Sequence, residues 1–348
     1  MKQFKFLIKS LNATDLVVVI FYLFLTVMNV VFHSRVEEWR LLVAGNFIII
    51  AFVFTVAPLA KNTKSEFWNQ IHYWYLAPLI LLTFKEIYLM VQPIRVHDYD
   101  YLLIQADRFI FGFDPTTALY KIANPYLTEF LQIVYGSFYF LPIILGLDLL
   151  LKKKEEEFNY SLFAVVFGFF LSYVGYFLLP AIGPRFTLHD FLKTNEELPG
   201  LFLTNFLREV VNKGESIRST MANAAEVVQR DVFPSGHTQM TLIVMYLSYK
   251  FKTTSRYFLI PVGIALIFST VYLRYHYAID LIGGASFMLL TMWSGKWIYA
   301  KWQSYTEERA PAFEKVTDGP PSELVPQSED SIYQERSLHP LEDSNTPR

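Results

Sequence analysis

Long apolar runs recur along most of this chain, and they constrain its fold more than any other feature. A helix needs about 20 mostly apolar residues to cross the hydrocarbon core of a bilayer. Runs of that kind extend from Asp15 to Phe32, Leu41 to Leu59, His72 to Val91, Leu127 to Leu151, Tyr160 to Pro180, Tyr257 to Tyr275 and Ala278 to Lys296, with a shorter one from His237 to Lys250. The expectation is an all-α polytopic membrane helix bundle of about eight spans, with short helices at the interface. A composition that is 53% hydrophobic and only 18% charged agrees, because it is too apolar for an ordinary soluble domain.

Two function classes fall away at once. The formal net charge is −2, so nothing draws the chain to nucleic acid. Cysteine is absent, which removes disulfides, thiolate metal sites and cysteine nucleophiles.

Orientation follows from the lysine and arginine bias of the short loops. With the N terminus on the cytoplasmic side, the inner segments carry Lys2, Lys5 and Lys9; Lys61 and Lys64; Lys152 to Lys154; Lys250, Lys252 and Arg256; and Lys296 and Lys301. The outer segments carry no comparable cluster. The first span reads as an uncleaved anchor, since no small-residue cleavage site follows it. Both termini are then cytoplasmic, in an integral protein of a bacterial inner membrane or a eukaryotic endomembrane. The chain divides into N-terminal spans (1–91), an interfacial outer segment (92–126), a membrane core (127–300) with an outer loop at 181–236, and an inner tail (301–348) whose Pro, Ser and Glu content predicts disorder. In the interfacial segment "FDPTTALYKI" places Asp114 as an N-cap with Pro115 at the first helical position.

Three polar motifs interrupt this apolar pattern, all on the outer side. "FPSGHT" leads straight into a helix, so the N–H groups of Ser235 and Gly236 are expected to point outward as a phosphate cradle, with the Ser235 hydroxyl and His237 beside them. "RYHYAIDLIGG" places His276 and Asp280 four apart, which on a helix lets the carboxylate hold one imidazole nitrogen and leave the other free. "LPAIGPRF" carries Arg185, whose planar fork suits a phosphoryl group, on a turn fixed by Gly183 and Pro184. Taken singly, each has a plain structural reading: a capped helix start, a self-satisfied polar pair, an arginine at a membrane edge. Ionisable groups at the bilayer are costly, so their convergence on one face argues for function.

The order "GPRF", "PSGH", then His-x-x-x-Asp resembles the type-2 phosphatidic acid phosphatase superfamily of membrane phosphoesterases. That resemblance implies a six-helix phosphatase-type core, His276 as nucleophile on phosphorus oriented by Asp280, and His237 as the acid that protonates the leaving oxygen. It also implies phosphoryl contacts from Arg185, Arg274, Ser235 and Gly236, with no metal and no cofactor. The chain departs from the family pattern at Leu178, where a lysine precedes the arginine by seven; at Phe186, where a proline follows it; and at Thr270, where an arginine precedes the histidine by six. If residues 270–274 are helical, Arg274 shares a face with Thr270 and supplies the missing charge. Lys85 is a candidate to replace the lost lysine.

The same departures look like the branch of inositol phosphorylceramide synthases, an inositolphosphotransferase branch similar to sphingomyelin synthases, which pass a head group to an alcohol instead of water. The expected partner is therefore a membrane lipid phosphate or phosphodiester, with an alcohol acceptor as the alternative to water, handled on the periplasmic or lumenal side. The competing reading is a non-catalytic lipid-binding scaffold or a transporter, for which Lys85 and Glu86 inside a span would form the path. The "HDYD" cluster of His97, Asp98 and Asp100 reads as a solvated polar edge. His33, His72, His189 and His339 show no partner pattern.

Overall fold

The computed structural model describes residues 2–63 and 65–306. Eleven helices carry the argument: α1 (Ala13–Val31), α2 (Trp39–Thr63), α3 (Leu76–Ile94), α4 (Asp100–Phe111), α5 (Pro125–Gly136), α6 (Phe140–Leu151), α7 (Glu155–Leu178), α8 (Thr204–Gly214), α9 (Gly236–Lys250), α10 (Arg256–Tyr272) and α11 (Ala278–Thr306). No strand occurs among the described residues. Five segments are long and apolar enough to cross a membrane: α1, α2, Glu66–Ile94 (which ends in α3), α7 and α11. The sixth is the pair α5 and α6, and the shorter α9 and α10 are packed within the same bundle. The protein is an all-helical integral membrane bundle.

Hydrophobicity on every side makes α7 the central helix. It packs against α1, α3, α6, α9 and α11, and 72% of its best window is buried, against 22% for α2, which presents its apolar surface outward. Buried polar groups clasp the centre. Gln239 on α9 accepts from Ser172 of α7 and donates to the Gly168 carbonyl (3.0 Å) and to Thr291 of α11 (3.0 Å), so one amide ties three helices.

Two features separate the structure from an even reading of the runs. The segment expected as one span from Leu127 to Leu151 is broken, with α5 and α6 meeting at 56°. The break falls at Gly136-Ser137, where the Ser137 hydroxyl turns back to the Val134 carbonyl at 2.6 Å. At the other end of the chain, α11 runs on to Thr306, so residues 301–306 of the expected tail are helical and the rest of that tail lies outside the described residues.

The loop between α7 and α9 is anchored to the bundle. Glu129 of α5 accepts from the Leu201, Leu203 and Thr204 N–H groups (2.9, 2.6 and 3.1 Å) and from the Thr204 hydroxyl (2.6 Å), which fixes the start of α8. That helix leaves Phe206 and Val210 exposed, and Phe202 just before it is exposed too, as an interfacial helix should. Asp114 does sit at the N-cap position before Pro115, but its carboxylate makes no cap bond and is held by Arg108 at 2.8 and 2.9 Å.

Candidate active site

Ser235 caps α9, its hydroxyl accepting from the Thr238 N–H at 3.2 Å. The expected cradle is narrower than the motif suggests, because the Ser235 N–H is taken by the Asp280 carbonyl at 3.2 Å. Among the described residues, the first-turn N–H groups of Gly236 and His237 donate to no backbone acceptor. Close packing makes this turn possible. A Cβ on Gly284 of α11 would stand 2.6 Å from the Ser235 carbonyl oxygen, so only glycine lets α11 approach.

His276 does not lie on a helix with Asp280. It precedes α11, in the short turn after α10. Its Nδ1 is 3.0 Å from the Val232 carbonyl and 3.4 Å from Asp280 Oδ2, and that same carboxylate oxygen accepts the Tyr277 N–H at 2.8 Å. The nearer oriented acceptor is thus a backbone carbonyl, with Asp280 supporting the turn. A proton on Nδ1 directed at Val232 leaves the Nε2 lone pair facing His237, whose Nδ1 is 3.5 Å away. Burial holds the His276 imidazole down to about 4, against the opposing pull of Asp231 and the Val232 carbonyl, so it is neutral near pH 7.

The His237 ring stacks on Tyr135 (centroids 4.6 Å apart) and rests against Phe138 at 4.3 Å. Tyr135 stacks on Tyr275 at 4.4 Å, and the Arg185 guanidinium lies 5.0 Å over Tyr275. One continuous column therefore joins Arg185 to His237. Gly183, at φ 96°, turns the chain into the short helix Pro184–Thr187 that carries Arg185.

Both arginines of the sequence reading are already paired with carboxylates of the 181–236 loop. Arg185 pairs with Glu215 and donates to Asn212 Oδ1 at 3.2 Å. Arg274 pairs with Glu197 and covers the Tyr120 ring at 5.1 Å. The helical face expected to align Arg274 with Thr270 does not form, since α10 stops at Tyr272. Arg274 follows in the left-handed region, at φ 68°, with its N–H on the Val271 carbonyl (3.0 Å) and the Tyr275 N–H on the Thr270 carbonyl (2.9 Å). The position favours glycine, and an arginine there marks a strained backbone held by its surroundings. Lys85 reaches the same region from α3, donating to the Gly214 carbonyl and to Ser216 at 3.1 Å.

Three carboxylates that the motif reading passed over organise the site. Asp100, far from being a solvated edge, is buried and accepts from the Ile182 and Gly183 N–H groups (3.0 and 2.8 Å) and the Tyr277 hydroxyl (2.7 Å), pinning the Arg185 turn to the neighbour of His276. Asp107 accepts from the Ala278 and Ile279 N–H groups at 2.9 and 2.7 Å and so caps α11. Asp100 and Asp107 are seven apart on α4, a pair of acidic residues on one helical face, which was the available signal. Asp231, whose carboxyl burial pushes up, lies within electrostatic reach of His276, Arg185 and Lys85. Among the described residues no group of three or more His, Asp and Glu side chains converges as metal ligands. His72 is paired with Asp15 at 2.8 Å, and His189 meets the Thr116 hydroxyl at 2.9 Å, while His339 lies outside the described residues.

A family model described as the PAP2 superfamily matches residues 102–294. The chain belongs to the PAP2 superfamily. The match runs from α4 into α11, so it holds every motif residue and leaves Lys85 and α1 to α3 outside. PAP2 members are typically phosphatases, which makes this an enzyme family of phosphatase or phosphotransferase type. No curated protein and no solved structure gives a significant match.

Proposed function

We propose that this protein is a lipid phosphoesterase or phosphotransferase that works through a phosphohistidine on His276. The observation that carries the reading is the pair of imidazoles. His276 is neutral, its Nδ1 side engaged by Val232 and Asp280, and its Nε2 faces His237 across 3.5 Å. In the first step, which requires His237 as the imidazolium, Nε2 of His276 attacks phosphorus and the bond to the lipid alcohol breaks, its oxygen taking the proton from His237 and leaving that imidazole neutral. In the second, His237 withdraws a proton from water or an acceptor alcohol, whose oxygen attacks phosphorus and releases His276. Arg185 and the first-turn N–H of Gly236 take phosphoryl oxygens, with the Ser235 hydroxyl beside them. For Arg185 this requires exchange of the Glu215 carboxylate for the substrate, and for Arg274 exchange of Glu197.

The basic loops support a site on the periplasmic or lumenal face with both termini in the cytoplasm. The departures from the phosphatase pattern at Leu178, Phe186 and Thr270 support the inositolphosphotransferase-like branch, and with it a sphingolipid acceptor. The test uses purified protein in detergent with EDTA, offered phosphatidate, or phosphatidylinositol with ceramide or diacylglycerol, beside His276→Ala. Inorganic phosphate released by the wild type alone identifies a phosphatase, and head-group transfer without free phosphate identifies a transferase. Equal inactivity of both proteins across a broad lipid panel sinks the enzyme reading in favour of a lipid-binding scaffold.

A further inference from the structure

A cavity of about 330 Å³ opens between α3, α6 and α7, its wall including Ala77, Tyr139, Gly146, Phe158 and Phe169. Its lining is apolar except for aromatic polar tips at the two ends, Tyr73 and Trp74 at one and Tyr139 at the other. An apolar cavity of this kind in a protein excludes water and takes hydrocarbon.

Its upper end adjoins the candidate site. Tyr139 packs on Phe138 at 4.9 Å, Phe138 packs on His237 at 4.3 Å, and Phe169 faces Phe138 at 6.1 Å. Tyr139 is also within electrostatic reach of Asp231. One and two turns further along α7, Ser172 and Tyr176 stand against Gly236, where a Cβ would meet the Tyr176 hydroxyl at 2.7 Å. From the level of Ser172 down to Phe158 is fourteen residues of helix, about 21 Å at 1.5 Å per residue. One leaflet of hydrocarbon is about 15 Å deep, so the path from the site to the foot of the cavity is long enough for a long hydrocarbon chain.

We infer that the cavity holds the hydrocarbon chain of the substrate lipid, one long chain, on the side of the site from which the lipid alcohol departs. The inference rests on the proposed reaction, in which His237 protonates the leaving oxygen. Phe138 stands between the cavity and His237, packing on Tyr139 of the one and on the imidazole of the other, so a chain that passes this ring brings its ester oxygen to that imidazole. Water or the acceptor then approaches from the side facing the 181–236 loop. The helix α3 that closes one wall lies outside the matched family region, so chain selection is contributed partly by the N-terminal spans.

The test compares kcat/KM for a long-chain and a short-chain form of the lipid phosphate that the wild type turns over, in two variants that fill the cavity from different walls. Gly146→Leu adds a side chain where a Cβ already lies 3.2 Å from Phe158, and Ala77→Trp fills from an exposed position on α3. The long-to-short ratio is expected to fall tenfold or more in both, and an unchanged ratio in both overturns the inference. A second readout needs no turnover. His276→Ala protein is exposed to a long-chain lipid phosphate carrying a photoreactive group at the chain end. Labelling of α6 and α7 near Ile143 to Gly146 and Phe158 to Leu162 supports the cavity, even if catalysis fails. Labelling confined to lipid-facing residues such as Leu289 and Trp293 of α11 rejects it.

Discussion

At the scale of single residues, the histidine pair sets the first expectations. In the proposed reaction, replacing His276 by alanine removes the nucleophile, and turnover should fall by roughly 10³-fold or more in a phosphate-release or transfer assay. Asp280→Asn should be milder, roughly 10- to 100-fold, because the Val232 carbonyl at 3.0 Å is the nearer acceptor and the carboxylate's closest bond is to the Tyr277 N–H. The imidazole of His276 is held down to about 4, so it is the active neutral form above that pH and protonated below it. The acid limb of kcat/KM should therefore lie near pH 4, well below that of an ordinary histidine. Asp231 favours the imidazolium, so Asp231→Asn should move that limb to still lower pH; a shift upward would contradict the assignment. Glu215 competes with substrate for Arg185. Glu215→Gln should lower the inhibition constant of inorganic phosphate about fivefold, which corresponds to ~1 kcal/mol of competition removed.

At the scale of helices, the site depends on close contact between α7, α9 and α11. Gln239→Leu removes the amide that Ser172, the Gly168 carbonyl and Thr291 share, leaving polar groups unpaired in the bundle. A loss of about 1–2 kcal/mol is expected, read as a lower unfolding midpoint in detergent. The sequence made some of these helices legible and hid others. The long runs became α1, α2, α3, α7 and α11 because twenty apolar residues have few alternatives in lipid. The bend between α5 and α6 was hidden, since Gly136-Ser137 lies inside an otherwise uninterrupted run. The end of α10 was also missed: Leu273 and Tyr275 are as apolar as the helix before them, and the left-handed φ of Arg274 between them is what shows that the helix has closed. His237, Ser235, His276 and Asp280 could be read from local spacing. Glu197 and Glu215 could not be placed there, because they meet the motif residues only through tertiary packing.

At the scale of the whole molecule, every expectation about sidedness rests on the basic loops. The absence of cysteine makes this directly testable, because any cysteine introduced is a unique label. Lys153→Cys and Phe202→Cys, the latter at an exposed position, should react with a membrane-impermeant maleimide from opposite faces of sealed vesicles, Phe202→Cys from the periplasmic or lumenal one. Labelling of both from one face would overturn the topology. The column that runs from Arg185 through Tyr275 and Tyr135 to His237 gives this architecture a mechanical property. Its members come from four separate stretches of chain, yet each ring is the floor on which the next one rests. In the proposed reaction an anion that drew Arg185 off Glu215 would shift the first floor, and the tilt would pass up to the imidazole at the far end. Recognising the phosphate and placing the proton donor would then be a single movement, one that a lipid without that charge could not start.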